Sequence, residues 1–140
     1  LKNLEECIQI VKKHRNNGTL FGADQKVTAA VIAELAQAGY WGMLIEKKYG
    51  GLELSMTDFM QFLCRMAAEG DATVAGMASI HGCIGAVDPI CAYGNDSQKA
   101  YFLPRLADGH AISAFALTEP GAGSDLTALK TTAKLDGDHY

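Results

Sequence analysis

The sequence predicts a multidomain α+β protein, in which an all-helical N-terminal domain over residues 1–112 is followed by the opening of a β domain over residues 113–140. Apolar residues in the first part recur at three- and four-residue spacing, which is typical of amphipathic helices. After Gly109 the spacing changes to two, since Leu129, Thr131 and Ala133 alternate with polar residues. The hairpin signal Asp136-Gly137 is followed by too few residues for a stable second strand, so we expect the β domain to be incomplete here.

Composition limits the classes of function. The chain has 140 residues, of which 49% are hydrophobic and 20% charged, and this is ordinary globular composition. Its net charge of −4 comes without any cluster of Lys or Arg, which argues against nucleic acid and anionic membrane surfaces as partners. No apolar run reaches the roughly 20 residues of a membrane span, so none is expected.

The first two helices are delimited by turn residues. A first amphipathic helix should end at Asn16-Asn17-Gly18. A second is expected to begin at about Asp24 and to end at Gly39, because glycine is the usual residue just past a helix C-terminus. Aromatic residues and glycines in "YWGMLIEKKYGGLELS" then indicate a packed loop.

Capping residues delimit the later helices. Ser55 with Asp58 resembles a capping box and opens a helix that should end near Gly70. Asp71 begins a helix with almost no charged face, "ATVAGMASIHGCIGA", which we expect to be buried on most sides. After the short helix "VDPICAYG", Asn95 or Asp96 can cap another helix, and Pro104 should disturb its far half.

The cysteines and histidines do not predict a metal site. No two cysteines form a C-x-x-C pair, and the four histidines do not pair with them at metal-ligand spacing. We therefore expect free, buried thiols in a reducing compartment. The cysteines are Cys7, Cys64, Cys83 and Cys91.

The stretch "FALTEPGAGSD", residues 115–125, has two interpretations. Proline and glycine after a strand usually form an ordinary turn. Alternatively, Gly121 and Gly123 let the backbone approach an anionic ligand, while the hydroxyls of Thr118 and Ser124 add donors on either side. The spacing matches neither a Walker loop nor a Rossmann fingerprint.

His81 also has two interpretations. A lone histidine on an apolar helix is usually a hydrogen-bonded core residue. Met77 and Ala78 lie one turn earlier on the same side, so the three residues could instead form the wall of a binding pocket. No nucleophile–base pair can be assigned from spacing.

Three stretches together are similar to one known family. "FALTEPGAGSD" closely resembles the first signature of the acyl-CoA dehydrogenases, "YGGLELS" resembles their Tyr-Gly-Gly loop, and "YGNDSQKAYFLPRLADGHAISAFALTEP" resembles the helix that leads into their first β-strand. The likeness covers nearly the whole chain. Ile45 stands where the family often has proline and Glu53 where it often has glycine, so the geometry of that loop can differ.

The resemblance implies a fold and a set of site residues. The family has an N-terminal helical domain, a middle β domain and a C-terminal four-helix domain, the last absent from this chain. By resemblance, Thr118 would bond the isoalloxazine of FAD, Gly123 and Ser124 would reach its diphosphate, and Ser124 would also contact the CoA thioester. Met77, Ala78 and His81 would wall the acyl pocket. The residues implied to line FAD are Phe115, Ala116, Leu117, Thr118, Glu119, Pro120, Gly121, Ala122, Gly123 and Ser124.

The resemblance also implies a reaction. Family members oxidise acyl-CoA thioesters to 2,3-enoyl-CoA and pass electrons to an electron-transfer flavoprotein. Their catalytic glutamate lies in the C-terminal domain, so this chain alone should be inactive. The implied assembly is a homotetramer or dimer, in the bacterial cytoplasm by preference or in the mitochondrial matrix of a eukaryote. The alternatives are an acyl-CoA oxidase or flavin monooxygenase on the same fold, and a helical interaction module without flavin.

Overall fold

A computed structural model describes residues 2–140, and the part it describes is built from helices. Two helices are extended by a π-helical turn: Met66–Gly70 continues α3, and Ile80–Ile84 continues α4. Short 3₁₀ turns lie at Tyr40–Gly42, Lys47–Tyr49 and Leu126–Ala128. The predicted fold class, beginning with an all-helical domain, is confirmed. The α-helices are α1 (Lys2–Asn16), α2 (Ala29–Gln37), α3 (Met56–Arg65), α4 (Ala72–Ser79), α5 (Val87–Tyr93) and α6 (Asp96–Ala107).

Most helix ends lie where the sequence predicts them. α1 ends at Asn16, and Gly18 follows with a φ of +67°. Gly39, at φ +81°, follows the end of α2. The Asp71 side chain caps α4 by accepting hydrogen bonds from two backbone N–H groups, and Asn95 forms a full capping box with Gln98 at α6. Residues whose side chains or backbone suit these positions therefore define the helices locally.

The start of α2 differs from the prediction, because α2 begins at Ala29 and not at Asp24. Residues 21–27 form a closed turn in which Phe21 pairs with Val27 and the Gly22 N–H donates to the Lys26 carbonyl at 2.8 Å. Gln25 adopts a φ of +61°, which interrupts any helix. A left-handed residue other than glycine gives no signal in the sequence.

Two predictions on α3 and α6 also need correction. The Ser55 hydroxyl accepts from the Asp58 N–H at 3.1 Å, but the Asp58 carboxylate accepts from that hydroxyl and does not complete a capping box. Pro104 does not disturb α6, which continues to Ala107. Burial of Leu103, on the turn that contains Pro104, helps to hold this end of α6 against the body.

The helices enclose two apolar clusters. The larger one joins α1, α2, α3 and α4, and the smaller one lies under α5 and α6 around Ile45, Val87 and Leu103. Tyr40 links the helices of the larger cluster, because its buried hydroxyl donates to the Val74 carbonyl at 2.9 Å. Of the four thiols, all free, only that of Cys7 is fully buried. The expectation that all four are buried is therefore wrong: Cys64 is exposed, and Cys83 and Cys91 are half-buried.

The expectation that α4 is buried on most sides is also wrong. Gly76, Ile80 and Ile84 are exposed, so one apolar face of α4 and its π turn is open. An 18-residue window within the 22-residue helical stretch Ala72–Tyr93 has a mean hydropathy of 1.3, so this stretch is apolar enough to cross a membrane by length and composition alone. Length and composition are weak evidence, since core helices of globular proteins meet the same test. Here 39% of that window is buried within the protein.

The Tyr-Gly-Gly loop is anchored by its backbone. The N–H groups of Leu52 and Leu54 donate to the carbonyls of Gly42 and Met43 at 2.9 and 2.8 Å. A Cβ on Gly51 would lie 1.9 Å from the Ile45 carbonyl oxygen, so only glycine fits there. Glu53, at the position where the family often has glycine, adopts a φ of +54°. A residue with a side chain is uncommon in this left-handed conformation, which glycine adopts without strain.

Residues 113–140 contain no strand, although all of them are described. The alternating pattern predicts strands, but a strand forms only when a neighbouring strand pairs with its backbone. The Asp136-Gly137 signal is confirmed as a tight turn, with reciprocal backbone hydrogen bonds between Asp136 and His139 and a φ of +65° at Gly137. We call residues 2–112 the helical body and residues 113–131 the junction segment.

Candidate functional site

A tight turn forms the centre of the junction segment. The Glu119 N–H donates to the Ala122 carbonyl at 2.9 Å, and the Ala122 N–H donates back to the Glu119 carbonyl at 3.1 Å. Pro120 and Gly121 lie at the tip, as expected for a turn. Within residues 113–140, which are all described, only Ala122 is buried. The turn is therefore held by its own hydrogen bonds, with Ala122 as its one buried residue.

The Glu119 side chain joins two parts of the junction segment. Its carboxylate accepts hydrogen bonds from the Lys130 N–H at 2.9 Å and from the Thr131 N–H at 2.8 Å. Hydrogen bonds from Thr131 and then from the Lys130 backbone hold the pKa of Glu119 below its ordinary range. Glu119 thus remains ionised and holds residues 130–131 against the turn.

A groove runs along this region. A cavity of 240 Å³ opens between the chain at Thr118 and Glu119 and the chain at Leu129 and Thr131, with Ala116 and Leu117 completing its wall. Four of the ten residues predicted to line a flavin therefore lie together on one groove. The prediction that all ten contact FAD stays a prediction.

The part of the turn beyond the groove offers hydrogen-bond donors. The N–H groups of Gly121, Gly123 and Ser124 donate to no other residue in the described range 2–140. A Cβ at Gly121 or Gly123 would meet nothing within 4 Å, so the space in front of the backbone is open. Neither glycine has a positive φ, so the backbone conformation does not require glycine. What the missing side chain provides is free space in front of the backbone N–H groups.

The neighbouring carboxylates are already occupied. Glu119 binds the backbone of residues 130–131, and the Asp125 carboxylate accepts from the Thr127 N–H at 3.0 Å and the Thr127 hydroxyl at 2.6 Å. These hydrogen bonds, with that of the Thr127 hydroxyl the largest cause, lower the pKa of Asp125. What stays open at Gly121 to Ser124 is a set of donors, and such a set fits the diphosphate of FAD.

The three predicted acyl-pocket residues are placed differently from one another. Met77 lines an apolar cavity of 240 Å³ together with Ile80, Ile112 and the start of the junction segment. Ala78 is buried in the larger core cluster, and His81 is 1% exposed. The structure therefore brings Met77 to an open apolar cavity and encloses the other two. Contact of any of them with an acyl chain stays a prediction.

His81 is hydrogen-bonded through both ring nitrogens. Nε2 lies 3.2 Å from the Leu106 carbonyl oxygen, so Nε2 carries the proton. Nδ1 accepts from the Ser113 N–H at 3.0 Å. Burial lowers the pKa of His81, against the opposing effect of the Leu106 and Trp41 carbonyls, so the ring is neutral at neutral pH. The burial and hydrogen bonds of His81 therefore confirm the interpretation that it is a hydrogen-bonded core residue.

A further cavity was not predicted from the sequence. It has a volume of 300 Å³ and lies between the Tyr-Gly-Gly loop and α5, where Cys83 and Cys91 line it beside Asp88. Its residues come from separate stretches of the chain, and no motif connects them. Across residues 2–140 the structure has no group of three or more His, Cys, Asp or Glu side chains that could hold a metal ion.

Comparison with known proteins gives one consistent result. Residues 5–110 match the model of the acyl-CoA dehydrogenase N-terminal domain. The chain is 38% identical over 111 residues to a mitochondrial isobutyryl-CoA dehydrogenase of Dictyostelium discoideum, covering 79% of this chain and 26% of that protein.

Two solved structures have a similar fold. An acyl-CoA dehydrogenase complexed with FAD from Bacillus anthracis matches 98% of this chain and 21% of its own with a TM-score of 0.69 and 31% identity. The prolyl acyl carrier protein oxidase AnaB matches 98% of this chain and 36% of its own with a TM-score of 0.73 and 28% identity. The chain thus spans about a quarter of the length of the curated relative, and between about a fifth and just over a third of these structures.

Proposed function

This chain belongs to the acyl-CoA dehydrogenase family, and we propose that it is part of an FAD-dependent oxidoreductase that converts acyl-CoA thioesters to 2,3-enoyl-CoA. Residues 1–112 would form its N-terminal domain and residues 113–140 the start of its β domain. The observation that carries the proposal is the set of open donors at Gly121, Gly123 and Ser124 beside the groove at Thr118. Donors of this kind, with free space before them, are what a bound diphosphate requires.

The residues of the junction segment would bind and orient FAD. Thr118 would donate to the isoalloxazine edge, Gly123 and Ser124 would hold the diphosphate, and Ser124 would also contact the thioester. FAD supplies the electron acceptor for the reaction. Glu119 would act by keeping the turn in place, because its carboxylate is engaged by the backbone of residues 130–131. The base that removes the α-proton would come from outside these residues.

The partners follow from the same reaction. An electron-transfer flavoprotein would reoxidise the flavin, and the enzyme would be a homotetramer or dimer. In a bacterium it would act in the cytoplasm and in a eukaryote in the mitochondrial matrix. The acyl chain would enter near Met77, whose cavity with Ile80 and Ile112 is apolar.

An anaerobic titration of the full-length protein tests the reaction. Flavin absorbance is followed while acyl-CoA thioesters of different chain length and branching are added, and we expect at least one class to bleach it. In parallel, Ser124→Ala should weaken flavin or thioester binding, whereas Thr132→Ala, an exposed hydroxyl outside the junction segment, should not. A flavin spectrum that no thioester changes would contradict the proposal.

An oxidase is the second candidate, since the fold of this chain is also that of the prolyl acyl carrier protein oxidase AnaB. Oxygen consumption with release of peroxide on substrate addition, without a need for an electron-transfer flavoprotein, would favour it. A full-length protein purified without any flavin, and unable to bind added FAD, would instead favour a helical interaction module.

A further inference from the structure

We propose that His81 is a positioning residue, which fixes the beginning of the junction segment to the helical body, rather than a residue that contacts an acyl chain. Both ring nitrogens are used within the protein. Nδ1 accepts from the Ser113 N–H at 3.0 Å, and Nε2 lies 3.2 Å from the Leu106 carbonyl. The ring therefore has no nitrogen left for a substrate in this arrangement.

The imidazole in this contact is buried, and Ser113 is half-buried. The Trp41 ring meets the imidazole edge-on with the ring centres 5.8 Å apart. The Ser113 hydroxyl donates to the His81 carbonyl at 3.1 Å, so side chain and backbone of His81 both hold Ser113. Within residues 2–140 no acidic or basic side chain forms an ion pair with His81. If the ring were removed, the Ser113 N–H would lose its acceptor in a partly buried position.

Gly85 makes the close approach possible. A Cβ at this position would lie 2.3 Å from the Ser113 hydroxyl oxygen and 2.9 Å from the Ile80 carbonyl oxygen. The φ of Gly85 is −73°, outside the left-handed region, and the short distance to Ser113 is a reason for glycine at this position. The end of the π turn is thus shaped to receive Ser113.

The contact between His81 and Ser113 matters because of where Ser113 lies along the chain. From Ala114 to Leu129 the described hydrogen bonds of the segment stay within residues 119–131. The pair His81–Ser113 is therefore the last hydrogen-bonded tie to the helical body before the groove at Thr118. Loss of this tie should free the segment that enters the groove. Any effect on flavin binding rests on the proposed function, whereas the hydrogen bond between His81 and Ser113 does not.

Two matched substitutions at His81 test the hydrogen bonds of its two ring nitrogens one at a time. In His81→Asn the amide oxygen can take the place of Nδ1 and accept from Ser113, while the contact to Leu106 is lost. In His81→Gln the longer amide can reach Leu106 and donate, while the acceptor for Ser113 is lost. Each variant removes one hydrogen bond and leaves a polar side chain in the same space, so a merely structural role would affect both alike.

Amide hydrogen exchange of residues 112–118 in the full-length, flavin-free protein is the measurement. We expect His81→Asn to keep the protection of the Ser113 amide and His81→Gln to raise its exchange rate by about tenfold or more, since each tenfold corresponds to about 1.4 kcal/mol of lost protection. Ser113→Ala, which keeps the N–H group, should retain most of the protection. Equal exchange in the Asn and Gln variants would overturn the proposal.

A measurement on the unsubstituted protein covers the case in which a variant fails to fold. With ¹⁵N-labelled histidine, the NMR shifts of His81 should show a neutral ring with the proton on Nε2 and an acceptor at Nδ1. A proton on Nδ1 would overturn the proposal, because Nδ1 could then not accept from Ser113. Flavin binding is measured in a separate experiment. If the protein does not bind FAD, the result on the hydrogen bond between His81 and Ser113 still stands.

Discussion

The helical body and the junction segment are ordered in different ways. In the body, side chains such as Phe59 and Leu35 are fully buried, and the helices pack on two apolar clusters. In the junction segment Ala122 is buried, and the other residues, all described, are exposed or half-buried. Order there comes from short hydrogen-bonded turns and from the carboxylate of Glu119. Burial makes unfolding of the body cooperative, whereas hydrogen bonds at a surface can open one at a time.

This difference in packing fits different roles for the helical body and the junction segment. The body would be a rigid support, and the junction segment would present backbone donors to a ligand that completes its environment. A residue that connects the two parts then has an effect beyond its own hydrogen bonds, which is the position that His81 holds. Substitutions in the body should therefore change global stability, and substitutions in the junction segment should change local exchange.

The largest effect is expected for Gly51→Ala in the body. The new Cβ would lie 1.9 Å from the Ile45 carbonyl oxygen and 2.7 Å from that of Gly42, so the loop backbone must move. We expect a loss of about 3 kcal/mol in the free energy of unfolding, the upper part of the usual range for overpacking. Urea unfolding of the variant beside the parent protein measures this.

Gly50→Ala is the matched control for that loop. Its Cβ would meet nothing within 4 Å, and its only penalty is the left-handed φ of +87°. A loss of about 1 kcal/mol is expected. If the two variants lost equal stability, close packing at Gly51 would not be the reason for the glycine.

A smaller effect, of opposite sign, is expected for Glu53→Gly. Glu53 has a φ of +54°, where a residue with a side chain costs about 1 to 2 kcal/mol, and glycine removes this strain while it adds flexibility to the unfolded chain. The net result should be a gain of about 0.5 kcal/mol. Glu53→Gln serves as the control, because it removes the charge and keeps the strain; a gain of equal size in that variant would disprove the explanation.

The smallest global effect is expected for Glu119→Gln in the junction segment. The amide can accept only through one oxygen, so the N–H groups of Lys130 and Thr131 should exchange faster while the urea midpoint stays unchanged. Since the pKa of Glu119 is lowered, the unsubstituted protein should keep this protection at neutral pH and lose it only as pH falls below the ordinary value of 4.5. A large fall of the urea midpoint would show that the segment is part of the cooperative core.

The turn of the candidate site could be predicted, and the contacts that were missed share a physical reason. The turn at Pro120-Gly121 was predicted because its residues favour a turn by themselves. The role of Glu119 was missed because its partners lie 11 and 12 residues further along the chain. The pairing of His81 with Ser113 was missed because 32 residues separate them and neither belongs to a motif with the other.

Most helix ends, and the likeness to a known family, can be identified from the residues alone. Gly18, Gly39, Asp71 and Asn95 act on backbone within a few residues, so their effect can be read locally. Two further features could not be identified in this way: which apolar face of α4 stays open, and which groups surround His81. These depend on helices that meet after folding, and spacing along one helix carries no information about what another helix brings to it.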